Sequence, residues 1–238
     1  MKAMIFAAGL GTRLRPLTND RPKALVEVAG KSLLEWTILK LKAAGYEEFV
    51  VNVHHFADKV IEHLQGEQFA ELNIQISDER EFLLETGGGL QKARPLLQDK
   101  AGILIHNVDI FSDLDLAEFR NQHEASGAIA SLAITDRKTS RYLLFDRENF
   151  LCGWENVKTG EIKWVKDPQD DARRMAFSGI HLVSQDLLDL MKKVGKYSII
   201  DVYLKWATAY PILGIEHQAE RWLDVGKPEN LARATEFI

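Results

Sequence analysis

The chain contains a single cysteine, Cys152, and this scarcity excludes an internal disulfide and a cysteine-based zinc site. It also lacks any apolar run near the roughly 18 residues that a membrane helix requires. The apolar start at residues 1–9 is too short for a signal peptide, and Arg13 and Arg15 follow it closely. We therefore expect a cytoplasmic protein with no membrane partner.

Basic residues are not in excess, because 30 Lys and Arg stand against 35 Asp and Glu, for a formal net charge of −5. No basic cluster runs along the chain, which argues against a nucleic-acid partner, since phosphate backbones are bound by such clusters. An anionic small ligand must therefore meet local cations. Hydrophobic residues make up 46% of the 238 residues and nothing resembles a linker, so we expect one domain over residues 1–238.

The order of apolar segments is typical of an α/β fold. Through the first half, runs rich in Ile, Val and Phe alternate with segments of helical period, which predicts a mostly parallel sheet flanked by helices. The predicted strands of this half are residues 3–8, 49–53, 74–76 and 102–105, with helices at 32–45, 57–64 and 88–97. Later strands at 129–134, 142–145 and 150–154 predict an antiparallel extension, followed by helices at 185–193 and 199–209 and strands at 212–216 and 221–225.

The loop after the first predicted strand combines glycines with cations. Glycines let backbone N–H groups approach a phosphate closely, and Arg13, Arg15 and Lys23 supply the charge that a triphosphate needs. The loop is not the dinucleotide fingerprint, whose third glycine would fall on Leu14, nor does it have the spacing of a P-loop. A phosphate-binding loop is the prediction from the residues, and a plain glycine turn is the alternative.

This loop resembles the sugar-1-phosphate nucleotidylyltransferase family, whose amino-terminal signature is G-x-G-T-R-x-x-P-L-T followed by P-K. The chain matches that signature from Gly9 to Thr18 and again at Pro22 and Lys23. The resemblance implies that Arg13 contacts the leaving pyrophosphate and that Lys23 contacts the reacting phosphate. It further implies a Rossmann-like fold in which a mixed, mostly parallel sheet is flanked by helices.

Two distant aspartates are the second signal. Asp109 follows a buried strand and so lies at the carboxyl edge of the sheet, where open α/β folds bind ligands, although a strand-end carboxylate can also merely cap a turn. The segment from Trp222 to Gly226 resembles the family's W-x-D-x-G, which implies that Asp224 joins Asp109 in binding Mg²⁺. The family's usual N-G-D is Asn107-Val108-Asp109 here, and valine cannot replace glycine where φ is positive.

The third signal is the segment Leu84-Glu85-Thr86-Gly87-Gly88-Gly89. It resembles the family's base-binding loop, most closely the L-E-T-G-G-G variant of the uridylyltransferases that act on N-acetylmuramic acid 1-phosphate. A helix beginning here would present free amide donors, whereas a flexible glycine turn is the plain alternative. Glu79 takes the place of the family's base-reading residue, where a carboxylate accepts N3–H of uracil or N1–H of guanine. Together these resemblances predict nucleotide contacts at Ala8, Gly9, Gly11, Thr12, Glu79, Thr86, Gly87 and Asn107.

The sugar side is weakly marked, because the family's Y-G and E-K-P motifs are both altered. By the resemblance, Arg141 and Lys166 hold the sugar phosphate and Gly179 lies near the sugar, although a solvated surface charge is the alternative for the two cations. The predicted reaction joins a nucleoside triphosphate to a sugar 1-phosphate and releases pyrophosphate. We expect UTP with N-acetylmuramate 1-phosphate. The alternatives are GTP with mannose or heptose 1-phosphate and a catalytically silent sensor of nucleotide sugars. The family's carboxyl-terminal extensions are not expected, so a monomer or weak homo-oligomer is predicted.

Overall fold

The computed structural model describes residues 1–238 and contains fourteen strands and seven α-helices. The strands are β1 (Lys2–Phe6), β2 (Glu27–Val28), β3 (Lys31–Ser32), β4 (Glu48–Val53), β5 (Asn73–Asp78), β6 (Ile103–Asn107), β7 (Ile110–Ser112), β8 (Ala130–Thr135), β9 (Arg141–Phe145), β10 (Leu151–Asn156), β11 (Glu161–Trp164), β12 (Arg173–Val183), β13 (Ile212–Glu216) and β14 (Trp222–Asp224). The helices are α1 (Leu33–Ala43), α2 (Ala57–Leu64), α3 (Glu85–Ala93), α4 (Leu116–Ser126), α5 (Gln185–Leu190), α6 (Ile199–Trp206) and α7 (Pro228–Leu231). None of these helices is both long and apolar enough to span a bilayer.

One ten-stranded mixed sheet organises the molecule. Its path runs β11-β10-β9-β12-β6-β1-β4-β5, and β8 adds to β12 with β13 beyond it. Strands β6, β1, β4 and β5 are parallel, whereas β12 is antiparallel to β6, β8 and β9. Two short ribbons stand apart, β7 with β14 and β2 with β3. The predicted fold class, a mixed sheet flanked by helices with an antiparallel extension, is confirmed.

The sheet is covered on both faces, which explains why its central strands are apolar throughout. In β1, Ala3 and Ile5 face a core built with α1, α2 and α4, whereas Met4 and Phe6 face a second core built with α3, α5 and α6. Successive side chains of a strand point to opposite faces, so a strand buried on both sides reads as a continuous hydrophobic run. This burial holds the carboxyl ends of β1 and β6 side by side.

Helix starts are decided by caps that the sequence shows in part. The Ser32 hydroxyl accepts the amide of Glu35 at 3.0 Å and begins α1, as the capping-box spacing predicts. Helix α3 begins at Glu85, three residues before the predicted start, so the glycines lie within its first turns. Helix α4 was not predicted, although the Asp115 carboxylate caps it by accepting two amides and Gly127 ends it in the left-handed conformation.

Strand β12, which like α4 is 11 residues long, is another element that the sequence did not predict. It lies in the middle of the sheet, and its register with β8 shifts between Phe177 and His181. Gly179, inside this bulge, has φ of +78°, a conformation that L side chains rarely adopt. The bulge breaks the alternation of buried and exposed residues by which strands are recognised, and it turns Gly179 toward the carboxyl end of β6.

Two histidines, His106 on β6 and His181 on β12, are fully buried, and we expect them to make the stability of the fold sensitive to acid. Burial lowers the pKa of His106 and of His181 from 6.5 to about 3. The unfolded chain protonates these rings near pH 6.5 and the folded chain does not. Their contribution to stability is therefore complete above pH 6.5 and is lost progressively toward pH 3. At pH 5 the loss is about 2 kcal/mol for each ring, because 1.36 kcal/mol corresponds to one pH unit.

Urea unfolding of the wild-type protein and of His106→Leu, measured from pH 7.5 to pH 5, checks this expectation. In the variant, the slope of the free energy of unfolding against pH is expected to be smaller by the contribution of about one proton. Exposed His55 provides the matched control, since His55→Leu should leave the slope unchanged. Equal slopes in the wild type and His106→Leu would contradict the assignment.

Candidate active site

The site forms where the loop after β1 meets the residues that follow β6. Asp109 comes directly after β6, and its carbonyl accepts the amide of Val225 at 2.9 Å. The ribbon of β7 and β14 pairs Ile110 with Asp224, so the late aspartate is held beside the early one. The two carboxylates, 115 positions apart in the sequence numbering, thus share one edge of the sheet.

Two cations of the glycine loop bind these carboxylates. The Lys23 ammonium donates to Asp109 Oδ2 at 2.7 Å, and Arg13 Nη2 lies 3.8 Å from the same oxygen. Arg13 Nη1 donates to Asp224 Oδ2 at 3.1 Å. The structure therefore brings together the four residues that the sequence grouped from three separate motifs.

The ionisation of Asp109 depends on these neighbours. Its side chain is only 8% exposed, and burial by itself would raise the pKa of the carboxyl. The charge and hydrogen bond of Lys23, with a smaller effect of Arg13, outweigh burial and hold the pKa of Asp109 below its usual value. Asp109 is thus a buried carboxylate that stays ionised at neutral pH.

Gly226 lies at the junction of this charged group, and sequence reasoning gave it no role. A Cβ atom at this position would lie 2.6 Å from Asp109 Oδ2, 2.7 Å from Arg13 Nη2 and 2.9 Å from Asp224 Oδ1. Its amide also donates to Asp224 Oδ1 at 2.9 Å. Only a residue without a side chain allows the two aspartates and the arginine to converge, which gives the glycine of W-x-D-x-G a physical reason.

Asn52 is a second residue that sequence reasoning missed. Its Oδ1 accepts the amides of Ala7 and Ala8 at 2.7 and 3.3 Å, and its Nδ2 donates to Glu79 Oε1 at 2.7 Å. One amide side chain therefore connects the start of the glycine loop with the carboxylate predicted to read the base. The available signal was a polar residue inside the otherwise apolar run of β4.

A cavity of about 270 Å³ opens between these elements. Its lining includes Ala8, Gly9, Lys23, Asn52, Glu79, Thr86, Asn107 and Asp109. Glu79 is fully buried, and its second oxygen accepts the amide of Leu84 at 3.3 Å. Burial raises the pKa of Glu79, although the hydrogen bonds of Asn52 and Leu84 oppose that rise. Most of the residues predicted to contact nucleotide thus face one cavity that ends at Asp109.

The glycines of the third motif have packing roles. The amides of Gly87 and Gly88 both donate to the carbonyl of Tyr197, at 2.9 and 3.2 Å. The expectation of free amide donors here is therefore wrong for these two residues, because a neighbouring carbonyl already uses them. A Cβ at Gly89 would lie 2.7 Å from Glu79 Oε1, so this glycine makes room for the buried carboxylate. Nucleotide contact by Gly87 stays a prediction.

The three residues predicted on the sugar side do not share one cavity. A Cβ at Gly179 would lie 2.7 Å from Asn107 Nδ2, so this glycine adjoins the cavity. Arg141 is exposed at the start of β9, and Lys166 is exposed beside a different cavity lined by Asp146 and Tyr210. Asp109 and Asp224 form ion pairs with Arg13 and Lys23, and neither Arg141 nor Lys166 pairs with them.

Asp109 and Asp224 form a donor set that suits a hard divalent cation. No group of three or more His, Cys, Asp or Glu side chains converges anywhere in the chain, so two carboxylates are what the protein offers. Mg²⁺ typically takes one or two carboxylates and completes its octahedron with water and substrate phosphates. The pair of aspartates fits that pattern, with Arg13 and Lys23 balancing their charge.

Nearly the whole chain matches one protein family. Residues 2–238 match the nucleotidyl transferase family, and the chain belongs to this family. Val108, which departs from the family's usual glycine, is fully buried in the core and does not have a positive φ. The local backbone of this chain therefore does not require glycine there.

Named relatives agree with this membership, and a solved structure shares the fold. A 109-residue segment is 55% identical to N-acetylmuramate alpha-1-phosphate uridylyltransferase of Caulobacter vibrioides and covers 45% of each protein. Over 97% of this chain and 62% of the relative, the identity to mannose-1-phosphate guanylyltransferase 1 of Arabidopsis thaliana is 31%. The fold matches a UDP-glucose pyrophosphorylase from Acinetobacter baumanii with a TM-score of 0.79 at 14% identity, over 98% of this chain and 91% of that one. The aligned segments span about half to three fifths of the two curated relatives.

Proposed function

We propose that this protein joins a nucleoside triphosphate to a sugar 1-phosphate and releases pyrophosphate. The observation that carries the proposal is the convergence of Lys23, Arg13, Asp109 and Asp224 at the end of a cavity lined by residues predicted to contact nucleotide. Stability alone does not explain why these two ion-paired cations and two carboxylates are gathered at a sheet edge. This group suits a ligand that carries several phosphates and enters with a divalent cation.

The proposed reaction is in-line attack by a phosphate oxygen of the sugar 1-phosphate on the α-phosphorus of the nucleotide. The bond from the α-phosphorus to the bridging oxygen breaks, and pyrophosphate leaves with that oxygen. The attacking oxygen is already ionised at neutral pH, so positioning and charge neutralisation replace a general base. Lys23 is assigned to the reacting phosphate and Arg13 to the departing pyrophosphate. Mg²⁺, held by Asp109 and Asp224, would neutralise further phosphate charge.

UTP and N-acetylmuramate 1-phosphate are the proposed substrates. The L-E-T-G-G-G segment and the 55% identity to the Caulobacter uridylyltransferase support this choice. The buried carboxylate of Glu79 accepts hydrogen bonds from the side-chain amide of Asn52 and the backbone amide of Leu84. It has further lone pairs, so it can also accept N3–H of uracil. GTP with mannose 1-phosphate is the second candidate, because the guanylyltransferase relative aligns over almost the whole chain and the same carboxylate accepts N1–H of guanine.

A pyrophosphate-release assay tests both candidates. The four nucleoside triphosphates are each combined with N-acetylmuramate, N-acetylglucosamine, mannose and glucose 1-phosphates, with Mg²⁺ and again with excess EDTA. UTP with N-acetylmuramate 1-phosphate is expected to give the highest kcat/KM, and EDTA is expected to abolish turnover. Preference for GTP with mannose 1-phosphate selects the second candidate. No turnover with any pair, together with tight binding of a nucleotide sugar, would indicate a sensor and contradict the proposal.

A further inference from the structure

Arg137 lies on the same side of β14 as Asp224. It follows β8, and its guanidinium carbon is 3.9 Å from the ring centroid of Trp222. Trp222 and Asp224 are two residues apart on one strand, so their side chains point to the same face about 7 Å apart. Arg13 contacts Asp224 and Arg137 stacks on Trp222. The two guanidinium groups therefore stand one after the other along the same edge.

The guanidinium of Arg137 has more donors than partners. Nη2 donates to the carbonyl of Phe177 at 2.8 Å, whereas Nε is shielded from solvent and has no hydrogen-bond partner. No carboxylate lies within 4.0 Å of it, unlike Arg13 and Lys23, which are both paired. Burial lowers the pKa of Arg137, and nearby Asp224 only partly opposes this. A shielded cation with unused donors is costly unless an anion completes it.

The surroundings of Arg137 belong to the predicted sugar side. Trp222 Nε1 donates to the carbonyl of Ser178 at 2.9 Å, and the next residue, Gly179, adjoins Asn107. The carbonyl of Phe177, which accepts the hydrogen bond of Arg137, lies in the same bulge of β12. Arg137 thus borders the space between the bulge and Asp224, where an acceptor must stand to reach a phosphorus bound near Asp109.

We propose that Arg137 binds an anionic oxygen of the acceptor sugar phosphate and so sets the affinity for that substrate. The assignment rests on the proposed nucleotidyl transfer. It gives the anion of the acceptor a cationic partner close to Asp224. Arg141 and Lys166 are exposed and do not provide one there. Two groups of an N-acetylmuramate 1-phosphate supply that chemistry, the 1-phosphate and the carboxylate of the lactyl ether, and the planar guanidinium suits either one.

Steady-state kinetics of Arg137→Met and Arg137→Lys test the proposal. Methionine keeps an apolar stem against Trp222 and removes the charge, whereas lysine keeps the charge and loses the planar donors. With UTP saturating, Arg137→Met is expected to raise KM for the sugar phosphate about tenfold to a hundredfold, since a charged hydrogen-bond partner is lost. KM for UTP is expected to stay within about twofold, and Arg137→Lys is expected to recover part of the loss.

Comparison of two acceptors identifies the anionic group. N-acetylglucosamine 1-phosphate has the 1-phosphate but no lactyl carboxylate. An equal rise in KM for both acceptors assigns Arg137 to the phosphate. A rise confined to N-acetylmuramate 1-phosphate assigns it to the carboxylate. If the wild type prefers mannose 1-phosphate, the phosphate is the only anion that acceptor offers, and its KM is measured in the same way.

Adjacent Lys138, exposed and on the same loop, is the matched control, and Lys138→Met is expected to leave both KM values unchanged. Thermal unfolding of each variant is recorded beside the kinetics. An unchanged sugar KM in Arg137→Met overturns the inference and leaves the proposed function intact. So does an equal rise in the KM values for sugar and UTP that comes with a lowered Tm and no recovery in Arg137→Lys. A wild-type protein that turns over no pair in the substrate panel overturns both.

Discussion

Asp109→Asn is expected to lower kcat/KM by about a thousandfold, the largest effect of any single substitution at this site. The variant keeps the size of the side chain and removes the charge that Lys23 and Arg13 face. It also removes one of the two carboxylates assigned to the divalent cation. Loss of several kcal/mol of charge stabilisation gives this factor, because about 1.36 kcal/mol corresponds to tenfold in rate. Initial rates of pyrophosphate release at saturating Mg²⁺ measure it.

The matched control for Asp109→Asn is Asp201→Asn, which removes a carboxylate from the exposed face of α6. This control is expected to keep the wild-type rate. Urea unfolding shows whether Asp109→Asn still folds, since Lys23 loses its partner. A folded Asp109→Asn protein with near wild-type kcat/KM would refute the role given to this carboxylate.

Gly226→Ala is expected to lower kcat by about a hundredfold while the protein stays folded. The added methyl group would lie within 3 Å of Asp109, Arg13 and Asp224, so at least one of them must move. A displacement near 1 Å in reacting groups costs on the order of a hundredfold in rate. The backbone at Gly226 does not have a positive φ, so alanine introduces no conformational strain of its own. Single-turnover rates separate this effect on chemistry from any change in binding.

Gly66→Ala is the matched control for Gly226→Ala. Position 66 is half-buried, and an added Cβ would meet only the movable end of the Gln68 side chain. The control should therefore keep both rate and stability. Wild-type kcat in Gly226→Ala would mean that the close approach of the two aspartates is unnecessary for turnover.

The sequence predicted the parallel half of the fold well, because burial on both faces leaves continuous apolar runs. Helix α1 has a serine cap, and strands β4 and β6 are mostly buried apolar runs. The carboxyl ends of parallel strands meet at one edge, and this rule correctly placed Asp109 at the edge where ligands bind. The late segment with Asp224 came from motif resemblance, and the structure shows that the β7–β14 ribbon brings it there.

The antiparallel half was harder to predict, for identifiable reasons. Strand β12 begins with two exposed arginines and contains the bulge at Gly179, so neither its composition nor its period is typical of a central strand. Helix α4 carries its large apolar residues only in its first turn, and the rest of it is mostly polar. Arg137 lies in a connection without any period, and its contact with Trp222 depends on how strands distant in the sequence are ordered. Resemblance to the family's motifs, which points to Arg141 and Lys166, carries no information about that order.

Asn52 connects the cationic loop with the buried carboxylate of Glu79. A single amide group holds the backbone entering the cationic loop with one atom and the buried Glu79 carboxylate with the other. A substitution at Glu79 removes the acceptor of Asn52 Nδ2. Under the proposed function we therefore expect a change made to alter base choice to shift the loop assigned to the phosphates as well, since the amide must find a new partner or rotate. Redesign of nucleotide preference in this protein has to treat Asn52 and Glu79 as one unit, altered together or left alone.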